Sequence, residues 1–301
     1  MVKTASNTAA YMFGRYAADP IPIEIVADKL GELKFDGIEL CGCQPHAHPM
    51  DYPTKKDRQD FAAMFKGYGL EIAGYGADLS KFPIASNYPS IVKGYEKCFD
   101  TNVQFCVDCG IKVMRVDTVS SPPWTPGVDY GTAWKRVISM FKKCAKKAED
   151  HGVLLVWEFE PGFMFNKPKS EVLKLLQEVN DDNFKALFDT CHAQMCSVVA
   201  ARQKPPLETL KGGVPEFARL LKGWIGHIHL IDSDNTLHDG VTSTHAPFGE
   251  GVLDFDEIMP ALKQAGCTSG WWILDFCFWP ESWDRTPDAK KFIDKLKAKY
   301  G

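Results

Sequence analysis

The 301-residue chain lacks any long apolar run. No segment approaches the roughly 18 consecutive apolar residues of a membrane span, and the opening stretch MVKTASNTAAYMFGRY lacks the run of about seven or more that marks a signal peptide. Basic excess is also missing: 35 Lys and Arg stand against 39 Asp and Glu, a formal net charge of −4. Neither nucleic acid nor a membrane is therefore expected as a partner. No G-x-G-x-x-G follows the first strand-like run, which weighs against a dinucleotide-binding sheet. No phosphate-gripping glycine-rich loop stands out either, and no organic cofactor is expected. Cysteine is plentiful, at ten residues, but paired metal spacing is not. Cys106 and Cys109 form a CxxC with no second pair, and a single residue separates Cys41 from Cys43. Disulfide frameworks belong to small secreted domains, so reduced and mostly buried thiols in a cytoplasmic protein are expected.

What the chain does have is a recurring pattern. A polar periodic stretch ends at glycine, and a short β-rich run follows, as in KFDGIEL (34–40), GYGLEIAGY (67–75), DCGIKVMRV (108–116), DHGVLLVWEF (150–159) and KGWIGHIHLI (222–231). AGCTSGWWILDF (265–276) is a looser copy. A glycine just past a helix end supplies the left-handed residue that turns the chain into a strand. Strands are predicted near 2–7, 37–42, 70–75, 111–117, 153–159, 184–189, 225–231 and 271–276. Periodic stretches between them, such as Val137 to Lys147, Glu171 to Val179 and Phe255 to Ala265, predict helices. The Lys-rich run 142–150 reads as the solvated face of one. Such alternation predicts an α/β fold, a single (β/α)₈ barrel over residues 1–301, without linker or second domain.

Chemistry-bearing side chains gather at the C-terminal ends of the last four barrel strands, where such barrels place their sites. Strand five ends in WEFEP, and period-two alternation puts Glu158 and Glu160 on one face. Strand six ends in LFD, exposing Asp189, with His192 three residues on. Strand seven reads HIHLIDSD, so His227 and His229 share a face, and strand eight ends at Asp275. One carboxylate at a strand end is usually a solvated loop residue or a helix cap. Four consecutive strands ending this way call for a neutralising divalent cation. Further candidates are His46 and His48 after strand two, with His46 preferred, Arg115 and Asp117 on strand four, and His245 in the loop after strand seven. Trp124, Trp279 and Trp283 lie in Pro-containing loops that suit a sugar or an aglycone.

The motifs GIEL, EFEPG, FDTCHA, GHIHLIDSD, HAPFGEGVLDFDEIMPAL and ILDFCFWPESW resemble the xylose-isomerase-like superfamily along nearly the whole chain. That superfamily includes ketose 3-epimerases, inosose dehydratase and hydroxypyruvate isomerase. The resemblance implies Glu158, Asp189, His229 and Asp275 as metal ligands, with His192 near metal and substrate. His46, Glu160, His227 and Trp279 join His192 as substrate-binding expectations. It implies an isomerase or epimerase on a keto sugar or related polyol, through an enediolate, with Glu158 and Asp275 as acid and base. Oxygen-rich ligation favours Mn²⁺, then Mg²⁺ or Co²⁺. Two positions depart from the family pattern: Asn235 stands where epimerases carry a sugar-gripping Arg, and Asp275 where they carry Glu. Both put a standard ketohexose epimerase in question, and the missing Arg with an aromatic loop near strand eight points to an alternative, a lyase cleaving 3-oxo-glycosides, whose barrel chain often pairs with a small β-rich subunit. A nuclease of the same superfamily would need a fuller ligand set and a basic face. The expected partner is a small carbohydrate, and the expected assembly a homo-oligomer.

Overall fold

Short runs of β-branched, aromatic and aliphatic residues cannot bury both faces alone, and here they close on one another. The structure, a computed structural model, describes residues 2–118 and 127–301. The strands β1 (Lys3–Asn7), β2 (Gly37–Cys41), β3 (Glu71–Gly76), β4 (Val113–Val116), β5 (Leu154–Glu158), β6 (Phe184–Asp189) and β7 (Ile225–Leu230) lie parallel in chain order. After β7 come β8 (Asp232–His238) and β9 (Thr242–Ala246), an antiparallel pair outside the barrel where the sequence predicts a loop. The last strand, β10 (Trp271–Leu274), pairs with β7 and β1 and closes the ring. The result is a (β/α)₈ barrel.

Helices wrap the outside. Residues Tyr130–Asp150 form a helix whose Val137, Phe141, Cys144, Ala145 and Ala148 are buried. The lysines at 142, 143, 146 and 147 are exposed, as its polar stripe requires. Gly110 closes the helix Pro89–Cys109 in the left-handed region, φ 73°, and its N–H bonds back into the last turn before β4 begins. Gly37 works differently from the expectation. Lys34 takes the left-handed turn (φ 60°), while a Cβ at Gly37 would lie 2.5 Å from the Glu71 carbonyl oxygen and 2.8 Å from the Trp271 ring. Glycine there permits close strand packing.

The main core lies between barrel and helices, with Phe65, Phe99, Phe141, Trp157, Phe184 and Phe217 fully buried. Inside the barrel, two small clusters remain: Ala5, Ala73, Trp271 and Ile273 on one side, and Val113, Val156 and Leu187 on the other. Alternation then carries each strand's next same-face residue into the mouth: Ile273 leads to Asp275, Val156 to Glu158 and Leu187 to Asp189. All ten cysteines are free thiols, six of them buried. Among the described residues no helix is long and apolar enough to cross a membrane. Trp283 lies in the helix Ser282–Tyr300, contrary to the loop expected, and Trp124 falls outside the described residues.

Candidate metal centre

The four expected ligands meet. Ligand atoms of Glu158, Asp189, His229 and Asp275 all lie within 4.8 Å of one another, and all four residues are buried. His229 Nδ1 faces the three carboxylates, 3.0 Å from Asp275 Oδ2, 3.5 Å from Glu158 Oε1 and 4.0 Å from Asp189 Oδ2. Each carboxylate spends at least one oxygen on protein, and Asp275 spends both, its Oδ2 lying 3.0 Å from His229 Nδ1 and accepting from Asn7 Nδ2 at 3.4 Å. Glu158 Oε2 is held by the Arg115 guanidinium. Asp189 Oδ1 accepts from the His192 amide at 2.7 Å, capping the short helix Thr190–Gln194. Asp275 Oδ1 accepts from the Cys277 amide at 2.9 Å. Glu158 Oε1 and Asp189 Oδ2 have no hydrogen-bond partner although fully buried. Buried carboxylate oxygens without a partner are costly unless a cation satisfies them, so the donor set fits a hard divalent ion.

The electrostatics agree with that fit. Burial, with Asp275 and Glu158 nearby, pushes the Asp189 carboxyl up to about 7 against the pull of His245 and His229. Burial opposes charge on His245, yet Asp189 and Asp275 raise it to about 9. His229 rises well above its usual range despite burial, driven by Glu39 and Asp275. Burial likewise opposes charge on Asp275, but His245 and His229 hold it well below the carboxylate range. The carboxylates thus favour positive charge on His245 and His229, the same direction in which they would draw a cation.

Around the ligands, a cavity of about 450 Å³ opens at the strand ends. Glu160 lines it, and its Oε2 accepts from Thr242 Oγ1 at 2.7 Å and lies 3.3 Å from His192 Nε2. Burial and then Glu158 push the Glu160 carboxyl up to about 8. His192 is anchored through Nδ1 on Ser243 Oγ, 2.8 Å away, and burial drops it well below the usual histidine range. The β8–β9 pair thus supplies Thr242, Ser243 and His245 to the site. Arg115 and Asp117, 3.3 Å apart, line the cavity as an ion pair. Phe13, Cys41, Cys43, Phe163, Val241 and Phe278 give it apolar wall, interrupted by Asn7, Asp78 and Ser80.

Three expected substrate contacts are placed elsewhere. His46 is fully buried beneath the β2 loop with Nε2 2.8 Å from the Ile21 carbonyl oxygen. His227 points into the barrel between Glu39 and Ser269. Trp279 packs against the core, and its neighbour Phe278 is the aromatic that faces the cavity. Conversely, Glu39 in GIEL escaped the sequence reading. It lines the cavity, 2.7 Å from His229 Nε2 and 2.9 Å from His227 Nε2, and these imidazoles hold it down to about 2 although burial alone would raise it. A lone carboxylate in an otherwise apolar strand was the available signal.

A parallel eight-stranded barrel with a carboxylate–histidine centre at its mouth defines a class, and the chain belongs to the xylose isomerase-like TIM barrel family, whose model matches residues 27–298. Among its relatives is the fructoselysine 3-epimerase of Shigella flexneri, 24% identical over 257 residues that cover 82% of each chain. Solved structures of the same fold include D-psicose 3-epimerase with D-tagatose from Clostridium cellulolyticum H10, with TM-score 0.73, 16% identity and 99% of each chain covered. The IOLI protein with a binding zinc atom is comparable, with TM-score 0.72, 17% identity and 99% of each chain covered.

Proposed function

We propose that this protein is a divalent-metal-dependent isomerase or epimerase of a keto sugar or related polyol, with Glu158, Asp189, His229 and Asp275 holding the cation. The observation that carries this reading is the convergence of three buried carboxylates and one imidazole nitrogen, two of the carboxylate oxygens being without a partner. Similarity to fructoselysine 3-epimerase supports the reaction class. Oxygen-rich ligation makes Mn²⁺ our choice of ion. Such an ion supplies Lewis-acid polarisation of a ketone and its adjacent hydroxyl. The chain's own residues move the proton. Glu158 and Asp275 take up and return it at the carbon beside the carbonyl, through an enediolate, each contributing roughly 10²- to 10⁴-fold. Asp275 is held ionised, and so unprotonated, by His245 and His229 although burial opposes its charge. Glu160 keeps its proton near neutral pH and can donate it to a substrate oxygen. His192, kept neutral, is the substrate contact beside it.

A lyase acting on 3-oxo-glycosides is a second reading, favoured by the cavity rim. Phe13 and Phe278 stack at 5.7 Å, and His238 stacks on Phe278 at 4.7 Å. Asn235 does not line the cavity, and its Oδ1 accepts from Gln194. An apolar rim suits an aromatic aglycone better than sugar hydroxyls. Elemental mass spectrometry of the purified protein, beside Asp189→Asn, tests the centre. About one Mn, Mg or Co per chain, lost in the variant, is expected. Keto sugars and 3-oxo-glycosides are then screened for carbon-bound hydrogen exchange in D₂O and for aglycone release, which separates the two readings. No metal after Mn²⁺ reloading would sink both.

A further inference from the structure

A buried line of polar groups runs down the barrel axis from the metal centre. Asp275 Oδ2 lies 3.0 Å from His229 Nδ1, and His229 Nε2 lies 2.7 Å from Glu39 Oε2. Glu39 Oε1 is 2.9 Å from His227 Nε2, whose Nδ1 is 2.8 Å from Ser269 Oγ. Glu39 is 2% exposed and both histidines no more than 1%. A charge this deep is expensive, and Ala5, paired with Gly37 two residues before Glu39, clusters with Ala73 and Ile273 in an apolar part of the barrel nearby. The backbone also makes room for it. A Cβ on Gly74 would lie 2.7 Å from Glu39 Oε1 and 3.3 Å from His227 Nε2.

We infer that Glu39 is a positioning residue for the metal centre, holding the His229 ring by Nε2 so that Nδ1 faces Glu158, Asp189 and Asp275. This inference rests on the ligand set proposed above. An ionised carboxylate only accepts hydrogen bonds, and a neutral imidazole has one donor and one acceptor nitrogen. Glu39 Oε2 lies 2.7 Å from His229 Nε2 as an ion-pair contact; with the proton placed on Nε2 against that anion, the Nδ1 lone pair, now 3.0 Å from Asp275 Oδ2, would be left for a cation. The same rule puts the His227 proton on Nε2 and lets Nδ1 accept from the Ser269 hydroxyl. One anion therefore fixes two rings, and His227 with Ser269 holds the anion from below. Partners of this kind orient metal-bound histidines and raise their basicity.

Calorimetric titration of the metal-free full chain with Mn²⁺ tests this, with circular dichroism and thermal melting on each variant. Glu39→Ala is expected to bind Mn²⁺ about 10- to 100-fold more weakly. Glu39→Gln keeps the shape but not the charge, and its single acceptor oxygen serves only one ring, so it falls between that variant and the parent. Gly74→Ala, which crowds Glu39 without touching a ligand, weakens binding in the same direction. A purely structural role would lower the melting temperature and leave the affinity of the folded fraction unchanged. Should Glu39→Ala fail to fold, Glu39→Gln and Gly74→Ala decide. Affinity within about twofold of the parent in those two would overturn the role of Glu39, while Asp189→Asn still losing the ion would leave the centre itself standing. A parent chain that binds no Mn²⁺ would overturn both.

Discussion

The two halves of the barrel do different work. Strands β5, β6, β7 and β10 end in the four groups that converge on one point, whereas β1, β2 and β4 contribute none of those ligands. The first half supplies partners instead. Arg115 from β4 holds Glu158, Glu39 from β2 lies against His229, and Asn7 from β1 reaches Asp275 Oδ2 at 3.4 Å. Asp189 and Asp275 also take backbone partners, the His192 and Cys277 amides, from their own half. A barrel built from repeated units can thus place reactive groups on one arc and counter-charges on the other, each arriving along the axis by the same period-two alternation. Under the proposed function, reactivity and orientation fall to separate strands.

The sharpest way to break this division is to remove a reactive group. Asp275→Asn keeps the size of the side chain and one coordinating oxygen, but an amide cannot take up a proton. Exchange of carbon-bound hydrogen with D₂O should fall by roughly 10²- to 10⁴-fold in any substrate the parent chain labels. Metal content should fall less than in Asp189→Asn. Equal exchange rates in parent and variant would remove Asp275 from the chemistry.

Removing a partner should cost stability first. Arg115→Met leaves Glu158 buried next to Glu160 without its counter-charge, and Arg115 itself is only 22% exposed. Breaking such a pair from one side costs about 3 kcal/mol at the lower end of the usual range, read by urea unfolding of the metal-free protein. Added Mn²⁺ should restore part of that loss, because a cation replaces the missing positive charge. A change below about 1 kcal/mol would mean that the Arg115 contact is incidental.

The first prediction concerns residues readable in the sequence, and the second residues that were only partly so. Strand ends are legible because apolar runs stop at them: β6 occupies Phe184–Asp189 and the helix Phe255–Ala265 keeps its expected limits. Glu158, Asp189, His229 and Asp275 follow from those ends. Glu39 does not, because its meaning depends on His227, 188 residues away. The β8–β9 pair had a local signal that went unread, Asp239–Gly240, whose φ values of 49° and 68° are those of a tight hairpin turn. Its strands, Asp232–His238 and Thr242–Ala246, are too polar to stand out by hydropathy, and with them went the roles of Thr242 and Ser243. His46 misled for the opposite reason. A histidine in a loop after a strand looks available, but the chain folds over it and the Ile21 carbonyl takes its Nε2.

The smallest effect is expected at the other end of the barrel, where the strands begin. Lys3 Nζ and Glu71 pair at 2.7 Å, with side chains 45% and 63% exposed, and Lys3 also lies 5.3 Å from the centre of the Trp271 ring. Water screens both charges there, so Lys3→Ala should cost less than about 1 kcal/mol, and less again as salt is raised. A similar distance between charges at the mouth, Arg115 to Asp117 at 3.3 Å, belongs to a group whose removal should cost several times more. The contrast isolates burial from geometry, since contact is short in both cases. Unfolding of Lys3→Ala at low and high salt measures the first part, and Mn²⁺ titration of the same variant the second. Unchanged affinity would confirm that the strand starts are insulated from the centre by the apolar layer of Ala5, Ala73 and Ile273. A weakened affinity would show that the layer transmits strain to Glu39 and His229, and that the two ends of the barrel cannot be treated apart.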